Sequence, residues 1–178
     1  RLHRVFLNGR RAEELVCCGS TLKGQDKVWE AWERLGYKVQ KTDRARAGDR
    51  EDFVDDNLLS QMQWTIGHPR PGRTIVLVTG DGNDNDGRAS FYSVVTRALQ
   101  SGWRVELYTW RVACSGRYRE LALTYADTGL FRLFYLDNFR DKVCFTAPDR
   151  GGGGRRVPAA AAPTSSPSPA RRHAMKGG

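Results

Sequence analysis

"TIVLVTGDGNDNDGRASF", residues 74–91, runs five mostly apolar residues into a loop that holds Asp81, Asp84 and Asp86 among Gly80, Gly82, Asn83 and Asn85. The β-branched run at 74–78, bounded by glycine, reads as a strand buried on both faces. Beyond the loop, Phe91, Val94, Val95, Ala98 and Leu99 recur at helical spacing. The unit is therefore strand, acidic loop, helix. In open α/β sheets such a loop, at the carboxyl end of a strand, is where ligands bind.

Three familiar loops fail on particular residues. An EF-hand with Gly87 in its sixth position would have Gly82 where the first carboxylate belongs and Ser93 where the bidentate Glu belongs. A phosphate-cradling loop spanning Gly82 and Gly87 would have Arg88 and Ala89 in place of Lys and Ser/Thr, with Asp84 and Asp86 repelling the phosphate. A dinucleotide fingerprint would need glycine at Asn85. What remains is a carboxylate cluster suited to magnesium or manganese. The same residues are also ordinary turn formers, so a solvated turn or helix cap stands as the alternative.

Outward from this unit, apolar spacing alternates strand and helix. Residues 1–9 read as a short helix end and 14–18 as a strand. Residues 25–35 form a helix with Val28, Trp32 and Leu35 on one stripe, stopped by Gly36, and 37–42 a strand. Residues 49–67 form a long helix whose Val54, Leu58, Met62 and Ile66 repeat every four residues. Residues 103–110 are a strand, 117–125 a helix and 131–136 a strand, with a return strand at 142–145. This alternation predicts an α/β fold, a doubly wound, mainly parallel sheet covered on both faces.

The chain has 178 residues, 39% of them hydrophobic, enough for one good core. A domain over 1–148 is expected, followed by a disordered tail at 149–178 made of Gly, Ala, Pro, Ser and Arg. The tail carries much of the basic excess: the formal charge of +9 falls to +3 without residues 150–178. Such a tail suits loose phosphate contact, or is a linker without a partner. Four cysteines without C-x-x-C spacing suggest buried, reduced thiols and an intracellular protein, cytoplasmic or nuclear. Three scattered histidines argue against zinc. No apolar run approaches a membrane span, and no signal sequence opens the chain. Its first residue is Arg1 rather than Met, which suggests a piece of a longer protein.

In a parallel sheet all strand-to-helix loops open on one edge. The helix after strand 37–42 carries Asp52, Asp55 and Asp56 on one face of its first turns, so Asp55 is placed to look across at Asp81. First-turn acids also simply complement the helix dipole, which would explain one or two of them. A second acid cluster on the same edge is what two-metal phosphodiester cleavage requires. Lys41, Arg44, Arg46, Arg50, Arg88 and Arg111 rim that edge, a pattern that suits phosphate outside and metal inside, or an ordinary solvated rim.

Four stretches, "GSTLKGQDKVWEAWERLGYKV", "DREDFVDDNLLSQM", "TIVLVTGDGNDNDGRASFYSVVTRALQSGWRVELYTWR" and "LFRLFYLDNFRDKVCF", resemble an NYN domain of the PIN-like nuclease superfamily, of limkain type. The most specific likenesses are the V-D pair opening a helix, the T-G-D ending a strand and the following G-W-x-V-E strand. The resemblance implies a doubly wound parallel sheet and a metal-dependent endoribonuclease or RNA-processing factor using magnesium or manganese. Asp55 matches the V-D acid and Asp81 the G-D acid, while Asp84 and Asp86 fall where a further loop acid is found. It thus implies Asp55, Asp81 and one of Asp84 or Asp86 as catalytic metal ligands, with Asp52, Asp56 and Thr79 in support. Arg44, Arg46, Arg50, Arg88 and Arg111 are then the RNA contacts.

The chain departs from that family in one respect. The family's first, central strand ends in an Asp ligand, and here "RLHRVFLNG" aligns with the helix after that strand. A sheet without it is short of hydrogen-bond partners along its middle. Either an upstream segment supplies the strand, or the domain is a degenerate one that binds RNA or protein without cutting.

Overall fold

A computed structural model describes residues 1–22, 26–44, 54–68, 72–79 and 90–144, with the backbone alone at Leu22, Asp43 and Arg44. The elements run α1 Leu2–Leu7, β1 Val16–Leu22, α2 Lys27–Arg34, β2 Lys38–Arg44, α3 Val54–Gly67 and β3 Thr74–Val78. They continue with α4 Phe91–Gln100, β4 Arg104–Thr109, α5 Gly116–Thr124, β5 Phe131–Tyr135 and α6 Arg140–Val143. The described residues all belong to one compact unit, Arg1–Phe145. The expected disordered tail lies outside the described residues.

The fold is α/β and every strand pair is parallel, as the alternation predicted. The strands fall into two sheets, β1-β2 and β3-β4-β5. In the larger sheet side chains alternate between two apolar layers, the period-two consequence of pleating. Ile75, Leu77, Val105, Leu107 and Phe131 pack with Val94, Val95, Ala98 and Leu99 of α4, Tyr118 of α5, and Leu59, Met62 and Ile66 of α3. Val76, Tyr108 and Phe134 pack on the other face with Leu2, Val5 and Phe6 of α1. There Tyr108 stacks on Phe134 and meets Phe6 edge-on. Each fully buried aliphatic side chain contributes ~1.5–3 kcal/mol.

Helix α4 begins where its local chemistry dictates. The Ser93 N–H donates to Ser90 Oγ, and the Ser90 N–H donates to Ser93 Oγ, each at 3.2 Å. This reciprocal capping box satisfies two amides that the first turn would leave without partners.

Several expectations need correction. The strand expected at 14–18 begins at Val16 and continues to Leu22, because β2 offers partners along its whole length, from Val16 opposite Lys38 to Leu22 opposite Arg44. The α2 stripe is not the one expected: Val28 and Leu35 are 61% and 47% exposed. The half-buried residues there are Trp29 and Trp32, and Trp29 lies against the glycine at position 19. Strand β3 is only partly covered, with Leu77 buried and Val78 exposed. The return strand at 142–145 is absent from the described residues. Leu136–Phe139 forms a 3-10 turn that leads straight into α6, and Phe139 packs on the α1 cluster instead of extending the sheet. All four cysteines are free, but only Cys114 is buried as expected: Cys17 and Cys18 are half-buried and Cys144 is exposed. Among the described residues no helix is long and apolar enough to cross a membrane.

Candidate carboxylate centre and its basic rim

Asp55 and Asp56 occupy the first turn of α3, where carboxylates complement the positive end of the helix. Leu59, Met62 and Ile66, four, seven and eleven residues beyond Asp55, continue its stripe into the core and fix the rotation of the helix. Asp55 is half-buried and Asp56 exposed. Leu58, one turn beyond Asp55 on the same face, lines a cavity that Thr79 also lines. Thr79 is the residue that leads from β3 into the acidic loop, and its N–H donates to the Tyr108 carbonyl at 3.2 Å, extending the ladder by one residue. Leu58 and the carboxyl end of β3 therefore border one cavity, which Asp55 itself does not line.

Asp81, Asp84, Asp86, Asp52, Arg46, Arg50 and Arg88 lie outside the described residues. Arg44 closes β2, with only its backbone described. Among the described residues no group of three or more His, Cys, Asp or Glu is arranged to hold a metal ion. Asp55, with Asp56 beside it, is what the described part offers to a cation. A hard divalent ion takes carboxylate oxygens, so the donor type fits, while a full coordination shell needs acids from elsewhere.

Arg111 sits just past β4, exposed, with its guanidinium 4.1 Å from the centroid of the Tyr135 ring. Tyr135 ends β5 directly opposite Thr109 in the parallel register. The Arg111 N–H donates to Asp137 Oδ2 at 2.8 Å, which holds the turn after β4 against the turn after β5. A second stack places Arg117, at the start of α5, over Tyr92 at the start of α4, 5.3 Å from its centroid. Planar cations on aromatic rings suit both phosphate contact and base stacking. Sequence reasoning singled out Arg111 but not Tyr135, Tyr92 or Arg117, which the fold brings into these two stacks. The signal was aromatic residues at strand ends and helix starts on one edge, which looks the same as core patterning until the chain is folded.

Compared with known proteins, the chain matches no family model, no curated protein and no solved structure.

Proposed function

We propose that this chain is an NYN-type domain of the PIN-like nuclease superfamily and that it hydrolyses RNA phosphodiester bonds with magnesium or manganese. The observation that supports the reading is that Leu58, one turn beyond Asp55, and Thr79, at the entry to the acidic loop, line the same cavity. Asp55 and Asp81, with Asp84 or Asp86, would hold the cations. Bound there, the cations would lower the pKa of an attacking water and stabilise the leaving oxygen. Asp52 and Asp56 would add negative charge, and Thr79 would orient a ligand from the strand end. Arg44, Arg46, Arg50, Arg88 and Arg111 would hold phosphates around this centre, with Tyr135 as a stacking platform. The free thiols fit a reducing, intracellular compartment.

The decisive experiment is cleavage of a single-stranded RNA with manganese or magnesium by the chain, by Asp55→Asn and by Asp81→Asn, with a chelator control. Metal-dependent cutting that falls on the order of 100-fold in each variant supports the reading. Cutting that survives both substitutions, or survives chelator, overturns it.

The division into two sheets favours a second reading, a binding module that keeps the Arg–Tyr edge without assembling the metal centre. Its signature is RNA affinity that persists in chelator and falls with salt.

A further inference from the structure

The carboxyl ends of the three strands in the larger sheet form one row. Val78 is paired with Tyr108 and Thr109 with Tyr135, and the Thr79 N–H continues the ladder onto the Tyr108 carbonyl. Carried one residue further, the register sets Thr79, Thr109 and Tyr135 level on neighbouring strands. They stand two residues beyond Leu77, Leu107 and Leu133, so pleating turns all three to the face where those leucines join the core with α3, α4 and α5.

Asp55 belongs to the same layer. It heads the stripe of Leu59, Met62 and Ile66, and α3 packs toward β1 while α5 packs on β5. The row therefore leads away from the α3 acids. Thr79 is at its acidic end and Tyr135 at the other, roughly 10 Å away across two interstrand spacings.

At the far end the exposed Arg111 holds its guanidinium 4.1 Å from the Tyr135 ring centroid, which is stacking distance. The ring backs one face of this planar cation and the other face is turned to solvent. Asp137 Oδ2 accepts from the Arg111 N–H at 2.8 Å, so the turn that carries the stack is anchored through its backbone. Val112, next in that turn, is 95% exposed, an apolar side chain beside the stack. A phosphate needs only charge and gains nothing from an aromatic backing or an apolar neighbour. A nucleobase stacks on the first and packs on the second.

We infer that Arg111, backed by Tyr135, is the stacking position for a base close to the scissile bond: that of the first or second nucleotide on one side of the phosphate held at the end of β3. This rests on the hydrolytic reading and goes beyond it by fixing which nucleotide the stack serves. Arg111 acts here through its plane, with its charge secondary.

The test uses the full chain with manganese and the single-stranded RNA of the cleavage assay, from which one base at a time is removed while the sugar–phosphate backbone stays intact. Loss of the first or second base on one side of the cut bond is expected to slow cutting there about tenfold. Arg111→Ala and Tyr135→Leu should slow cutting of the intact RNA by a similar factor and abolish the dependence on that base. Arg111→Lys should resemble Arg111→Ala, because an ammonium keeps the charge without the plane. Tyr135→Phe should resemble the unaltered chain, and thermal unfolding confirms that each variant is folded. Metal-dependent cutting that is indifferent to every base removed overturns the inference and leaves the hydrolytic reading standing. So does a base dependence that persists in Arg111→Ala, or full activity in Arg111→Lys. No cutting, or cutting that survives chelator, is the distinct failure of the hydrolytic reading, and the inference falls with it because no metal-bound phosphate remains to count from.

Discussion

Arg10 grips Glu106 at two points, Nη1 donating to Oε1 at 2.9 Å and Nη2 to Oε2 at 2.6 Å. The same guanidinium donates from Nε to the Leu7 carbonyl and from Nη2 to the Phe6 carbonyl, each at 3.0 Å. One side chain therefore satisfies carbonyls at the end of α1 and ties that helix to the middle of β4. The hydrogen bond to Glu106 raises the Arg10 pKa further above its already high value. Glu106 is the more enclosed partner, its side chain 12% exposed against 42% for Arg10.

Arg10→Ala should lower stability by about 1–2 kcal/mol, since a largely enclosed carboxylate loses its partner while the exposed side of the pair is screened by water. Arg10→Lys should recover little, because an ammonium does not present the two-pronged fork that meets both oxygens. Urea unfolding checks this: the midpoint moves and the slope stays constant. An unchanged midpoint in Arg10→Ala would show that α1 is held by its apolar contacts alone.

Gly19 is fixed by a neighbour rather than by its backbone angles. A Cβ built there collides with the six-membered ring of Trp29. Gly19→Ala should cost about 1–3 kcal/mol through overpacking and lower the melting temperature by about 2–4 °C per kcal/mol. Adding Trp29→Leu should recover part of that loss. If the double variant falls by the sum of the two single effects, the two sites are independent and the collision is not the cause.

Ser90→Ala removes the acceptor for the Ser93 N–H at a buried helix start. A loss of about 1 kcal/mol is expected, read as an earlier thermal transition, while Ser90→Asp should retain most of the stability because a carboxylate also accepts at an N-cap. Equal losses in both variants would assign the effect to burial rather than to capping.

Alkali should weaken this fold. Burial, with a smaller contribution from neighbouring Cys18, pushes the Cys17 thiol up from 9.0 to about 11. Burial also raises Cys18, Tyr37 and Tyr108, the last with help from Glu106. In each case the folded state keeps a proton that the unfolded chain releases sooner. The stabilising contribution of Cys17 is fully present below pH 9 and is lost as pH climbs to about 11. Urea midpoints from pH 7 upward should fall through this window, less steeply in Cys17→Ala. An identical slope in that variant would remove Cys17 from the account.

The larger sheet and its helices were legible because their sequence is locally consistent. Strand 74–78 is a short β-branched run, and the α4 stripe of Phe91, Val94, Val95, Ala98 and Leu99 is buried as its spacing predicts. Helix α2 misled because Val28, Trp32 and Leu35 form as good a stripe as Trp29 and Trp32. Only the approach of Gly19 decides which rotation is filled. The segment after β5 misled for a similar reason, since β-branched and aromatic letters at 142–145 say nothing about whether a sheet edge is within reach.

By itself, the amino-acid order determined the class of fold, the register-setting apolar runs and the acids at the head of α3, because hydrophobic period and helix-end chemistry are local properties. Tertiary structure alone decided that the strands divide into two sheets and that Arg111 stacks on Tyr135. Those relations join residues distant in sequence, such as Glu13 with Arg73 and Arg10 with Glu106. Such pairs exist only once chain closure has brought them together, and no local period encodes them.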